Sequence, residues 1–133
     1  MTDDQFMAGF EACSLPAETF NHRAHVRMAY LYLCRYSIFE AVEKFSSALA
    51  RFAAMQGKAA RYHETVTWAF LFLIRERLAR AGRPLTWEEF AGSNPDLMNW
   101  EKNVLKRYYR EETLTSDLAR RIFVLPDRFT GCR

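Results

Sequence analysis

Cysteine is scarce in this chain, and its three residues, Cys13, Cys34 and Cys132, are scattered. They form no CxxC pair and cannot all be bridged, so they read as reduced thiols of a cytoplasmic protein rather than a disulfide framework. A long hydrophobic run is missing too. The longest, Val66–Ile74, is about half of the ~20 residues a membrane-spanning helix needs. The opening MTDDQ lacks a charged-then-apolar leader pattern, and no membrane association is expected. No repeat, low-complexity tract or long linker interrupts the 133 residues, which suits one domain spanning 1–133. No stretch alternates apolar and polar residues between hairpin turns, so strands are not expected. Charge is nearly balanced. A net charge of +3, with the basic residues interleaved among sixteen acidic ones, permits an anionic ligand without requiring nucleic acid.

What is present is hydrophobic and aromatic: 50% and 15% of the residues, respectively. Such a composition folds. The apolar spacing predicts an all-α, antiparallel helical bundle. Thr2 or Asp3 caps a short first helix with Phe6, Met7 and Phe10 on one side. Cys13 to Phe20 reads as a connection. Asn21 caps a helix from His22 to about Tyr36, on which Val26, Ala29, Tyr30 and Leu33 recur at helical spacing. Ser37 caps a third helix to about Gln56, with Phe39, Val42, Phe45, Leu49, Phe52 and Ala53 as its inner face and Gly57 as its stop.

The next helix, about Arg61 to Ala81, is apolar nearly all round from Val66 to Ile74, which places it at the centre of the bundle. Shorter helices follow. One is opened by the capping box Thr86-Trp87-Glu88-Glu89, one runs from Asn94-Pro95 to about Tyr109, and one runs from Ser116 to about Phe123. Arg128–Arg133 reads as a loose end.

Short connections make sequential helices antiparallel, so the helices starting at His22 and at about Arg61 point the same way. Their first turns carry all three histidines of the chain: His22, His25 and His63. Neighbouring helix axes lie about 8–10 Å apart, a gap that inward-facing imidazoles can bridge. The positive end of a helix dipole and partial desolvation both favour neutral imidazole.

The leading expectation is therefore a three-histidine divalent metal centre formed by His22, His25 and His63, of the kind that activates water or polarises a carbonyl in hydrolase- or lyase-type chemistry. Zinc is the first candidate; iron, nickel and copper also accept imidazole. Glu64 stands as fourth ligand or general base and Tyr62 as a phenolic donor. Arg23, Arg27 and Arg61 stand nearby to orient a small, acidic substrate.

Two further patterns are absent. His63-Glu64 opens like HExxH, but Thr67 stands where its second histidine belongs, and the paired ExxH helices of a di-iron bundle are missing. Cys34, about two and a half turns beyond His25, is too distant to share its metal and reads as a buried thiol. Thr65 and Thr67 read as packing or capping residues. Tyr30, Tyr32, Tyr36, Tyr62 and Trp68 are candidates for lining a small-molecule cavity, with Phe70 and Phe72 assigned to the core.

Two alternatives stand beside the metal centre. The first is a metal-free enzyme or binding pocket in which His63 and Glu64 form an acid–base pair. The second is a non-catalytic interaction module using the basic C-terminal helices, where Lys102, Lys106 and Arg110 recur every four residues. Nucleic acid is the weaker partner, because no helix-turn-helix spacing accompanies the charges. Neither oligomeric state nor the role of the C-terminal helices as a lid is expressed in the sequence.

Overall fold

The computed structural model describes residues 1–128. Among them seven α-helices form and no strand. They are α1 (Asp3–Glu11), α2 (His22–Arg35), α3 (Ile38–Met55), α4 (Glu64–Arg80), α5 (Trp87–Ser93), α6 (Glu111–Leu114) and α7 (Asp117–Arg121).

Local signals start most of them. Thr2 caps α1, Ser37 caps α3 and Thr86 caps α5, each in a reciprocal box with Gln5, Glu40 and Glu89. Such a cap stabilises by about 1 kcal/mol. Asn21 caps α2 through the Ala24 N–H at 3.0 Å. Gly57, at φ 72°, ends α3: Lys58 N–H reaches the Ala53 carbonyl and Gly57 N–H that of Ala54. This double closure requires a left-handed residue, which glycine adopts without a Cβ clash.

α2, α3 and α4 pack mutually, with α1 laid across α2 and α3. The core is strongly aromatic. Phe10 meets Phe20, Phe45 and Phe52 at centroid distances of 5.2, 5.6 and 5.8 Å. The central position of α4 follows from its second contact set, α7 and the turn Val104–Arg107. A C-terminal extended strip completes the cover, with Phe123 stacking on Trp68 at 5.4 Å. Fully buried Thr65 holds that strip: its Oγ1 donates to the Ile122 carbonyl at 2.7 Å and accepts the Val124 N–H at 3.0 Å.

The structure revises several sequence expectations. Phe39 is 81% exposed. Counted at about 3.6 residues per turn, it lies far round the helix from the Ala41–Phe45–Ala48–Phe52 line. Phe72 is 39% exposed rather than core, and Cys34 is exposed rather than buried.

The helix expected from Pro95 to Tyr109 is instead two 3-10 turns, Pro95–Met98 and Val104–Arg107. Asn99 Oδ1 takes the Lys102 N–H and Asn103 Oδ1 takes the Leu105 N–H, both at 3.0 Å. These side-chain turns compete with the helical ladder. Lys102, Lys106 and Arg110 consequently share no helix face. α7 stops at Arg121 because Ile122 is already extended and bound to Thr65. Of the end expected to be loose, Arg128 is tied by its N–H to the Tyr108 carbonyl at 2.9 Å; residues 129–133, with Cys132, lie outside the described residues.

Candidate functional site

The first turns of α2 and α4 and the C-terminal half of α3 meet at one end of the bundle, around a cavity of about 850 Å³. That volume lies in the range of small-molecule sites, about 300–1,000 Å³. Phe20, Val26, Phe45, Phe52, Phe70 and Ile74 form its apolar interior, and the C-terminal segment contributes Trp100, Asn103 and Leu114. Lys58, Arg61, Glu101, Lys106 and Glu111, all exposed, mark the mouth with charges of both signs.

His22, His25 and His63 all line this cavity, as the parallel directions of α2 and α4 require. Their ring nitrogens are committed differently. His63 is the N-cap of α4, one residue before its first turn. Its Nδ1 accepts the Val66 N–H at 3.1 Å, and its Nε2 lies 2.7 Å from the Leu114 carbonyl. Because Nδ1 accepts, the proton sits on Nε2 and donates to Leu114. Both nitrogens are therefore occupied by the chain.

His22 places Nε2 at 2.8 Å from the Leu97 carbonyl. Its proton is likewise spent, and Nδ1 keeps its lone pair. The ring sits edge-on to Phe70 at 5.3 Å and beside Trp100 at 5.1 Å. His25 lies against Phe20 at a centroid distance of 4.1 Å, the packing of the residue before a cap onto the fourth helical position.

Burial, with the neighbouring His22 adding to it and the Phe20 carbonyl opposing, pushes the His25 pKa down to about 4. Burial also lowers that of His22, against the effect of its Leu97 bond. His22 and His25 are thus neutral at neutral pH. Among the described residues, no three of His, Cys, Asp and Glu are placed to hold a metal ion.

The other candidates separate. Tyr62 lines the cavity, and its hydroxyl donates to Glu64. Burial, reinforced by that bond, raises the phenol's pKa. Glu64 itself is not part of the cavity wall. Of the three candidate arginines, Arg61 alone lines it. Arg23 lies over the Trp87 ring at 5.4 Å, and Arg27 pairs with Asp3 at 2.7 Å. Thr67 Oγ1 donates to the His63 carbonyl at 2.7 Å.

Among the aromatic candidates, Tyr62 faces the cavity, and so does Phe70, which the spacing assigns to the core. Tyr30 and Tyr32 instead send their hydroxyls to the Leu85 carbonyl and to Glu11. Three of the late basic residues, Arg107, Arg120 and Arg121, are paired inside the chain. Arg107 is 3.3 Å from Asp96, and Arg120 and Arg121 both bind Asp117, at 2.6 and 2.7 Å.

Phe20, Phe45, Phe52 and Asn103 went unrecognised as site residues. Phe20 could have been found, since an apolar residue just before the Asn21 cap is a staple signal; the others carry no local mark of a cavity. Comparison with protein-family models, curated proteins and solved structures returns no match. No helix of the described residues is long and apolar enough to cross a membrane.

Proposed function

We propose that this protein binds a small, mainly apolar organic molecule in the cavity between α2, α3, α4 and the C-terminal segment, without a metal. The observation that carries this reading is the cavity itself: about 850 Å³, walled by aromatic side chains and bearing a few fixed polar groups, the usual make-up of a ligand site.

The electrostatics favour binding over acid–base catalysis. A general base works best with a pKa near the operating pH, whereas His25, held down to about 4, accepts a hydrogen bond more readily than a proton. The His63/Glu64 pair is a weaker acid–base candidate, since both His63 nitrogens bond to the chain and Glu64 accepts the Tyr62 hydroxyl.

The test is saturable, one-to-one binding of a neutral fluorophore such as N-phenyl-1-naphthylamine, compared with a Leu49→Trp variant that fills the cavity. Binding to the parent chain and its loss in a folded variant support the reading; equal binding to both refutes it.

A second reading, the three-histidine metal centre, is favoured by one observation: all three imidazoles line one cavity. It requires His63 to give up its bond to Val66, and that to Leu114 as well where Nε2 is the ligating nitrogen. Elemental analysis of untagged protein tests it. Near-stoichiometric zinc, lost in both His22→Ala and His25→Ala, supports the centre; metal-free protein that also fails to take up added zinc rejects it.

A further inference from the structure

On the α2 and α4 side of the cavity, the side-chain protons are spent on the chain. His22 spends its proton on the Leu97 carbonyl, Tyr62 on Glu64, Thr67 on the His63 carbonyl, and His63 on the Leu114 carbonyl. None of these protons faces an incoming molecule. The lone pair left over toward the cavity is that of Nδ1 of His22; the Tyr62 oxygen has the hydroxyls of Ser46 and Thr67 beside it. His63 leaves nothing, because Nδ1 is capped by Val66. His25 adds an imidazole that burial keeps neutral, its ring 4.1 Å from that of Phe20.

A ligand that only accepts hydrogen bonds would therefore meet acceptors on the α2 and α4 side, and a buried acceptor left without a donor is costly. The C-terminal wall supplies a complement. Asn103 is buried, and its Oδ1 is held by the Leu105 N–H, which fixes the amide so that Nδ2 is the group left to donate. A hydroxyl suits both sides, since it donates once and accepts twice. The charges at the mouth do not select an anion: Lys58, Arg61 and Lys106 are offset by Glu101 and Glu111, and all five are exposed. Inside, a carboxylate would lose its hydration among phenylalanines without a cation beside it.

We infer that the cavity selects uncharged apolar alcohols or phenols, whose hydroxyl donates to the His22/His25 imidazole pair while the hydrocarbon body lies among the aromatic side chains. This inference rests on the pocket reading above and names its ligand class.

The experiment uses four ligands of one shape on the intact protein at neutral pH, followed by calorimetry or tryptophan fluorescence: 2-naphthol, 2-methoxynaphthalene, 2-naphthoate and naphthalene. 2-Naphthol is expected to bind about tenfold more tightly than the methyl ether, the size of one hydrogen bond at the upper end of the usual range, and more tightly than naphthoate. In His25→Phe the naphthol-to-ether ratio falls to about one while naphthalene still binds; in His22→Phe it falls in the same direction. An ether or naphthoate that binds the parent chain as tightly as naphthol overturns the inference and leaves the pocket reading standing. If none of the four binds, the pocket reading falls and this inference with it. The comparison within the parent chain decides the question even where a variant does not fold.

Discussion

His63 Nε2 lies 2.7 Å from the carbonyl oxygen of Leu114, fifty-one residues further along the chain. The same ring caps α4 through the Val66 N–H, so one side chain both starts the central helix and attaches the C-terminal segment to it.

Replacing His63 should accordingly cost stability twice. His63→Ala removes a cap worth about 1 kcal/mol and strands a carbonyl that the imidazole satisfied, together about 2 kcal/mol. His63→Asn retains a capping oxygen and should recover roughly half of that loss. Urea midpoints of the three proteins measure this; equal midpoints for the alanine and asparagine variants would show that the cap contributes nothing.

The His25 imidazole makes stability depend on pH. Its folded pKa, about 4, lies below the value of about 6.5 for an unfolded histidine. The unfolded chain therefore binds the proton first as pH falls. The burial is harmless above about pH 6.5, and stability is lost progressively between about 6.5 and 4, by at most about 3 kcal/mol. His22, lowered in the same direction, adds to the trend. Comparing denaturation of the parent chain and His25→Phe across this window isolates the effect: the variant should show the flatter profile.

Thr65→Val preserves shape and removes one hydroxyl. That hydroxyl serves the Ile122 carbonyl and the Val124 N–H at a fully buried position, so the expected cost is about 2 kcal/mol. Hydrogen exchange at Val124 should accelerate more than exchange in α2. Uniform acceleration along the chain would mean that the C-terminal strip opens only with global unfolding.

Arg77 donates to Asp96 at 2.9 and 3.1 Å and to Asn94 at 2.7 Å, with both charged side chains about three-quarters covered (24% and 28% exposed). Asp96→Ala leaves a partly buried guanidinium short of acceptors and should cost about 2 kcal/mol. The double variant Arg77→Met/Asp96→Ala should lose less than the sum of the single changes. Additive losses in denaturant melts would show that the two side chains do not act as a pair.

Wherever caps and apolar spacing coincide, the fold was legible. Thr2, Asn21, Ser37, Thr86 and Ser116 each open a helix at the expected position. Histidine is outside the usual set of capping residues, so the sequence points to a start of α4 at about Arg61, whereas the helix begins at Glu64. The region 95–109 misled for another reason. Its apolar residues recur as in a helix, but Asn99 and Asn103 divert the backbone into local turns, an effect that periodicity does not register. That the three histidines line one cavity is in keeping with the helix directions. What each ring bonds to is not legible in the sequence, because the partners, Leu97 and Leu114, are main-chain carbonyls and leave no trace in residue identity.

That last fact has an evolutionary consequence. Both clasps, His22 to position 97 and His63 to position 114, seize peptide oxygens, which every amino acid possesses. The side chain at position 114, which lines the cavity, can thus change while the acceptor stays in place. The chemistry of each bond therefore depends on the identity of its histidine alone.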